Sequence, residues 1–374
     1  MPQFFAATAK GLVEALEKEL LEMGMTDTEK VSGGVFFESN WEGVYRANYC
    51  SRLASRIMKP VLDFPAYNAE DLYHNVMKHD FTKYISPDQT IKVDASIKDS
   101  AINDQRFLAM KVKDAVVDQF RDKYDRRPDV DNDYPDLRIV IRGVRNNFNL
   151  LIDTSGDSLF YRGYRKETGE APMKENLAAG LLHLAEWDKA SPVVDPMCGA
   201  GTILIEAAMM ALNIPAGSNR RDFGFMHLSN FDEEAWQRVL DQTAAEEKDT
   251  LDFEFFGFDI DKKVLSKAKD NAKRAGVDHV IKFRYDEIAT VAPPVEKGLM
   301  ITNPPYGARL GEEDNLLDVY KDLGYTLKHR FKGWDAWILS GNKDLILHMK
   351  LKTTRKHFVY NGPIECRFLK YSMF

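Results

Sequence analysis

Beyond about residue 190 the chain alternates short apolar strands with amphipathic helices, and few folds accommodate that rhythm. Strands read at residues 192–195, 253–259, 280–285, 299–302, 336–339, 357–360 and 366–371. Helices fit between the first five, notably at 202–212, 262–275 and 316–331. Alternation of this kind predicts right-handed βαβ units and a mostly parallel sheet. The last two strands are joined by the short Asn361-Gly362-Pro363 link, so they are expected to pair as an antiparallel hairpin at its edge. Seven strands ending in a hairpin is an α/β, Rossmann-like architecture in which ligands sit at the carboxyl ends of the strands.

The residues at those strand ends carry the chemistry. The first strand runs into Asp195-Pro196-Met197-Cys198-Gly199-Ala200-Gly201-Thr202 and then a helix. Glycines at a strand-to-helix turn let a ligand approach the backbone, and the helix N-terminus offers free N–H groups. A dinucleotide fingerprint would place a third glycine three residues after Gly201, where this chain has Leu204. A ligand combining an amino acid moiety with a nucleoside suits the turn better, although the same letters also fit a purely structural turn. The second strand ends in Asp259-Ile260-Asp261, where Asp259 can accept both hydrogen bonds of a ribose diol and Asp261 reads as a helix N-cap. The third ends in Asp286, which can receive an adenine amino group or serve as turn chemistry.

The fourth strand ends in Asn303-Pro304-Pro305-Tyr306-Gly307. Consecutive prolines fix φ and cannot donate, so the loop presents its carbonyls rigidly. The amide oxygen of Asn303 and the carbonyl of Pro304 can accept from an exocyclic amine while Tyr306 stacks on its ring. Aiming the amine lone pair at an electrophilic methyl would be catalysis by orientation, with no shifted general base required.

The first half reads as α+β. A helix is expected at 11–23, a short strand at 35–37 and a second helix at 41–58 that turns Val44, Leu53 and Ile57 inward and Arg46, Arg52 and Arg56 elsewhere. A strand at 91–95, a helix at 106–121 and a hairpin at 137–152 turning on Arg145-Asn146-Asn147 follow. The basic, aromatic stretch Tyr161-Arg162-Gly163-Tyr164-Arg165-Lys166 marks the boundary, and its letters suit either RNA contact or a packed linker. Cys50, Cys198 and Cys366 are scattered, without zinc spacing, and His183, His227 and His279 have no ligand-like spacing, so no metal is expected. No leader peptide or membrane span is read, and the protein is expected in the cytoplasm.

Taken together, Asp195 to Thr202, Asp259, Asp286 and Asn303 to Tyr306, in that order on alternating strands, resemble the class I S-adenosylmethionine-dependent methyltransferases of the amino-methylating NPPY group. With Tyr161 to Arg165, Gly169 to Ala179 and Asn361-Gly362, nearly the whole chain is similar to the bacterial THUMP-domain rRNA guanine-N2 methyltransferases. The resemblance implies a ferredoxin-like segment at 1–65, a THUMP RNA-binding domain at 66–155 and a methyltransferase domain at 156–374. It implies S-adenosylmethionine as cofactor, S-adenosylhomocysteine as product, and 23S rRNA or a large-subunit assembly intermediate as partner. Carried over by residue, Asp195, Pro196, Met197, Cys198, Gly199, Gly201, Thr202, Asp259, Ile260 and Asp286 form the cofactor set, and Asn303, Pro304, Pro305 and Tyr306 the catalytic loop. Arg142, Arg145, Arg162 and Arg165 are the expected RNA contacts. Some relatives carry a second methyltransferase domain; this chain ends at Phe374 just past the seventh strand, so a single activity is expected.

The chain between Asp195 and Asp259 is about twice what one βαβ step of ~30 residues needs, so 213–250 reads as an insertion, either facing substrate or merely covering surface. Competing readings are an adenine-N6 or protein-glutamine methyltransferase, a non-catalytic RNA-binding assembly factor, and a nicotinamide oxidoreductase, which Leu204 disfavours. The net charge of −7 is spread evenly, with 23 Lys and Arg against 26 Asp and Glu up to Arg165 and 28 against 32 beyond. A chain of this balance does not coat nucleic acid non-specifically, and any RNA is held by a few placed arginines and by shape.

Overall fold

The computed structural model describes residues 1–165, 173–306 and 313–374. Lys166, the stretch from Gly169 to Pro172 and Gly307 of the sequence reading lie outside the described residues. Among the described residues fifteen strands form two sheets. The first comprises β1 (Gln3–Ala7), β2 (Thr26–Val31), β3 (Gly34–Glu38), β4 (Arg56–Pro65), β5 (Thr90–Lys98), β6 (Asp129–Val130), β7 (Leu137–Val144) and β8 (Asn147–Asp153), in the order β2-β3-β1-β4-β8-β7-β5-β6. It carries α1 (Val13–Glu22), α2 (Trp41–Cys50), α3 (Ala69–Met77) and α4 (Gln105–Tyr124). The expected hairpin turns at Arg145 and Asn146, both left-handed, with Val144 opposite Asn147.

The ferredoxin-like and THUMP units are not separate sheets, because β4 belongs to both. Its first residues pair with β1 and the rest with β8, the register shifting between Pro60 and Leu62. A proline without an N–H sits at that irregularity, where no ladder bond is lost.

The second sheet comprises β9 (Val193–Asp195), β10 (Phe255–Asp259), β11 (Ile281–Tyr285), β12 (Leu299–Thr302), β13 (Asp335–Ser340), β14 (Arg355–Asn361) and β15 (Ile364–Ser372). Its order is β11-β10-β9-β12-β13-β15-β14, parallel except for β15 and its hairpin partner β14. Around it lie α5 (Glu175–Leu184), α6 (Thr202–Ala211), α7 (Glu233–Glu246) in the insertion, α8 (Lys262–Arg274), α9 (Glu313–Arg330) and α10 (Lys343–Leu347). The α/β, Rossmann-like expectation is met, and the topology reverses between β9 and β12, where ligands of such sheets bind. Among the described residues no helix is long and apolar enough to cross a membrane.

The helix expected over 41–58 stops at Cys50. Glu19 on α1 is buried and accepts from the Ser51 hydroxyl (2.6 Å) and from the backbone N–H groups of Arg52 (2.9 Å) and Leu53 (3.3 Å). Those amides cannot also continue a helix, and the chain turns into β4. Burial raises the Glu19 carboxyl, partly offset by these donors. Arg52 and Arg56 are accordingly not on an open helix face. Arg52 donates to the carbonyls of Met209 and Ile214, and Arg56 pairs with Asp153.

One continuous core joins the ferredoxin-like unit to the catalytic sheet, running from Phe4, Leu12 and Val44 to Leu177, Leu181 and Ile205. Helix α5 lies inside it, and a Cβ on Gly180 would stand 2.6 Å from a methyl of Leu12, the residue that leads into α1, so that side chain packs directly on the α5 backbone. Arg162 closes the joint. It is 1% exposed, donates to the carbonyls of Leu159 (2.7 Å) and Arg52 (2.6 Å), and pairs with the fully buried Glu206 of α6 at 3.4 Å. The RNA-contact expectation for Arg162 is therefore corrected to a structural one, since its guanidinium is engaged by these partners inside the joint. Glu206→Leu is expected to lower stability by about 3 kcal/mol or more by stranding that guanidinium. Arg162→Met combined with Glu206→Leu should recover most of the loss, and urea titrations of the three proteins measure both effects.

Candidate active site

The strand ends of the parallel sheet converge on one face. Asp195, at the end of β9, is 2% exposed, and its Oδ1 accepts from Thr302 Oγ1 at 2.7 Å and from the Met197 N–H at 3.2 Å. Burial, with Asp259 adding to it, pushes its carboxyl up to about 7 against the pull of those donors. The loop after it is pinned to the next strand, the Cys198 N–H donating to the Phe258 carbonyl at 2.8 Å. Gly199 and Gly201 both have positive φ. A Cβ on Gly201 would meet Phe283 at 3.0 Å, whereas one on Gly199 would meet open space. Burial raises the Cys198 thiol well above its ordinary range, so it is a packing group and not a nucleophile.

Asp259 at the end of β10 accepts from the Gly199 N–H through Oδ2 (2.9 Å) and from the Asp261 N–H through Oδ1 (2.9 Å). Its carboxylate thus links the two loops and is held in one orientation, each oxygen keeping a lone pair for a further donor. Asp261 caps α8, as its sequence reading has it. Ile260 beside them is 62% exposed, an apolar surface at the rim. Asp286 caps its own turn, Oδ1 accepting from the Glu287 N–H (2.9 Å) and from Thr290 Oγ1, while its backbone N–H reaches the Asp259 carbonyl at 3.3 Å.

Asn303, Pro304, Pro305 and Tyr306 leave β12 next to this cluster, Thr302 tying the two together. The Asn303 Oδ1 is buried and has no hydrogen-bond partner among the described residues, a costly state for an amide oxygen unless a ligand completes it. Tyr306 is fixed by its hydroxyl, which accepts from Asn361 Nδ2 at 2.8 Å and lies 3.7 Å from Cys366 Sγ. Its ring runs across Gly341, where a Cβ would come within 2.9 Å of it. Burial raises the Tyr306 hydroxyl, so it stays neutral.

Arg165 faces inward as well. It donates to Thr202 Oγ1 (2.6 Å) and the Met173 carbonyl (3.3 Å) and lies 3.7 Å from Glu175. These contacts make it a strut that holds the first turn of α6, and it also lines a cavity with Tyr161 and Arg221. On the THUMP hairpin, Arg142 is half-buried over the Phe5 ring at 5.3 Å, and Arg145 is exposed at the turn. Sequence reasoning missed Thr302, Gly341 and Asn271, whose Nδ2 supports the Ala200 carbonyl at 3.1 Å. Thr302 directly precedes Asn303 and was within reach, whereas Gly341 and Asn271 act only through the fold. Among the described residues no group of His, Cys, Asp and Glu is placed to hold a metal ion.

Profiles of known families cover most of the chain: that described as the RMKL-like methyltransferase domain (UPF0020) matches residues 162–370, the RlmL ferredoxin-like domain 3–58, and THUMP 66–153. A Synechocystis protein named as a candidate RNA methyltransferase, slr0064, is 39% identical over 371 residues, 99% of this chain and 97% of its own. The ribosomal RNA large subunit methyltransferase K/L of Shewanella amazonensis is 40% identical across this whole chain, which spans only 53% of that enzyme. The crystal structure of SMU.472, a candidate methyltransferase complexed with SAH, superposes with a TM-score of 0.91 at 30% identity, covering 100% of this chain and 98% of that one. The chain therefore belongs to the RMKL-like family of S-adenosylmethionine-dependent methyltransferases, its catalytic domain carried behind RlmL-type ferredoxin-like and THUMP domains.

Proposed function

We propose that this protein methylates the exocyclic N2 of a guanine in 23S rRNA, in free RNA or in a large-subunit assembly intermediate. The observation that carries the reading is the buried, unpartnered Oδ1 of Asn303, held beside prolines that cannot move it. The THUMP match and the K/L relatives support RNA, and specifically large-subunit rRNA, as the substrate class.

The residues present fit S-adenosylmethionine. Open space stands at Gly199 where a side chain would otherwise be, and the Asp259 carboxylate is already oriented by two N–H groups. In this assignment Asp195, Pro196, Met197, Cys198, Gly199, Gly201 and Thr202 surround the methionine part, Asp259 takes the ribose diol, and Ile260 and Asp286 meet the adenine. When bound, S-adenosylmethionine supplies an electrophilic methyl on a sulfonium. Asn303 Oδ1 and the Pro304 carbonyl accept the two N–H groups of the target amine and fix its lone pair, and the Tyr306 ring lies against the base. The product amine then loses its extra proton to water. A flipped or single-stranded nucleotide is required, because a stacked base cannot reach the loop. Arg142 and Arg145 remain proposed RNA contacts.

Asn303→Ala should lower kcat by at least about 100-fold, the scale of losing an orienting hydrogen bond, with the affinity for S-adenosylmethionine unchanged by calorimetry. In a strain deleted for the gene, mass spectrometry of 23S rRNA nucleosides should show one N2-methylguanosine missing, restored by the wild type and not by Asn303→Ala. An unchanged nucleoside profile would sink the reading, and loss of N6-methyladenosine would transfer it to adenine.

Asp195 makes the cofactor step sensitive to pH. Its carboxyl titrates near 7 when no cation faces it. A cationic methionine ammonium beside it favours the ionised form, so binding releases a proton when it starts below that pH. The affinity for S-adenosylmethionine should fall about tenfold from pH 8 to pH 6, and in Asp195→Asn this dependence should vanish along with part of the affinity.

A further inference from the structure

A cavity of about 420 Å³ lies at the seam where the ferredoxin-like unit meets the catalytic domain. Its walls come from five places in the chain: Thr8 to Lys10 after β1, Ser55 before β4, Ser158 and Phe160 in the linker, Lys174, Asn176 and Leu177 at the start of α5, and Tyr360 to Gly362 at the hairpin end of β14. None of the residues assigned above to the cofactor or to the catalytic loop lines it. One wall nevertheless touches that loop directly, because Asn361 is the residue that donates to the Tyr306 hydroxyl.

The chemistry of the walls is one-sided. Two ammonium groups face the cavity, Lys10 held 5.2 Å above the Tyr360 ring and Lys174 held 4.5 Å above the Phe160 ring. Neither makes an ion pair among the described residues, and no described carboxylate lines the cavity. Both cations are thus pre-positioned by aromatic faces, the nearby carboxylates lying in the adjoining cavities rather than in this one among the described residues. Asn176, 3% exposed as a residue, adds a neutral amide to the same wall. An amide offers both donors and an acceptor, so it can pair with a base edge. The volume lies within the ~300–1,000 Å³ typical of ligand sites.

We propose that this seam cavity binds the nucleotide adjacent to the methylated one in a single-stranded RNA, its phosphate placed between Lys10 and Lys174 and its base edge read by Asn176. This deepens the proposed function and rests on it for the identity of the strand. A neighbouring cavity of about 530 Å³ shares Phe160 and Lys174 and carries the exposed Tyr161 and Arg221, so the strand has a path onward toward the insertion.

The test uses the full chain with Lys10 and Lys174, both exposed, changed together to Glu. With 23S rRNA from the deletion strain as substrate, KM should rise at least tenfold while kcat and the affinity for S-adenosylmethionine stay unchanged. Binding of a single-stranded oligoribonucleotide should weaken, and the slope of log K against log salt should fall by about 0.7 for each phosphate no longer neutralised. Asn176→Ala should raise KM without altering that slope. An unaltered KM and salt slope in the double variant would overturn the proposal, as would guanosine monophosphate binding as tightly as the oligonucleotide, which would make the cavity a free-nucleotide site. The binding arm needs no turnover. If the wild type methylates nothing yet the salt slope still changes, the reaction assignment fails and the cavity assignment stands.

Discussion

The contact of Leu12 with Gly180 is the joint on which the rest of the molecule depends. There the Leu12 side chain lies on the α5 backbone, inside the one core that the apolar residues of the ferredoxin-like unit form with those behind the catalytic sheet. Burial on that scale has a cost, because it encloses charges that cannot reach water. Most of that charge is answered locally: Glu19 by three donors, Arg52 by carbonyls at Nη2 while Nη1 stays unpartnered, and Arg162 by carbonyls and Glu206. These polar contacts add little net stability, but they are costly to break singly and so fix the geometry of the joint.

At the site, rigidity has the same origin in shared partners. Asp259 is held by the Gly199 N–H, Asp195 by Thr302, and Tyr306 by Asn361, so three strand-end loops and the terminal hairpin constrain one another. Several buried side-chain atoms lack partners among the described residues, and of these the Asn303 oxygen is the one carried by the strand-end loops. A buried acceptor left open there is completed by a donor from a ligand.

The parallel sheet, the terminal hairpin, the Asp261 cap and the convergence of the four strand ends were legible in the sequence, because periodicity and turn chemistry are local properties. The readings that failed were those in which a distant residue decides. The helix over 41–58 has apolar spacing to its end, yet Glu19 on another helix takes the amides that would have continued it. Arg162 sits in a basic, aromatic stretch whose letters resemble an RNA surface, and only the fold reveals that Glu206 lies behind it. The insertion was recognised by length alone, while its attachment through Arg52 to the carbonyl of Ile214 and through Arg220 to the carbonyl of Ser158 had no sequence signal.

Strand β4 has a further consequence. Because its hydrogen bonds run to β1 at one end and to β8 at the other, the THUMP hairpin cannot rotate against the ferredoxin-like unit without breaking a ladder, and that unit is itself fused to the catalytic sheet. The span from the hairpin turn at Arg145 to the loop at Asn303 is therefore a fixed length. Under the function proposed above, a strand held at that turn would meet the Asn303 loop at one set distance.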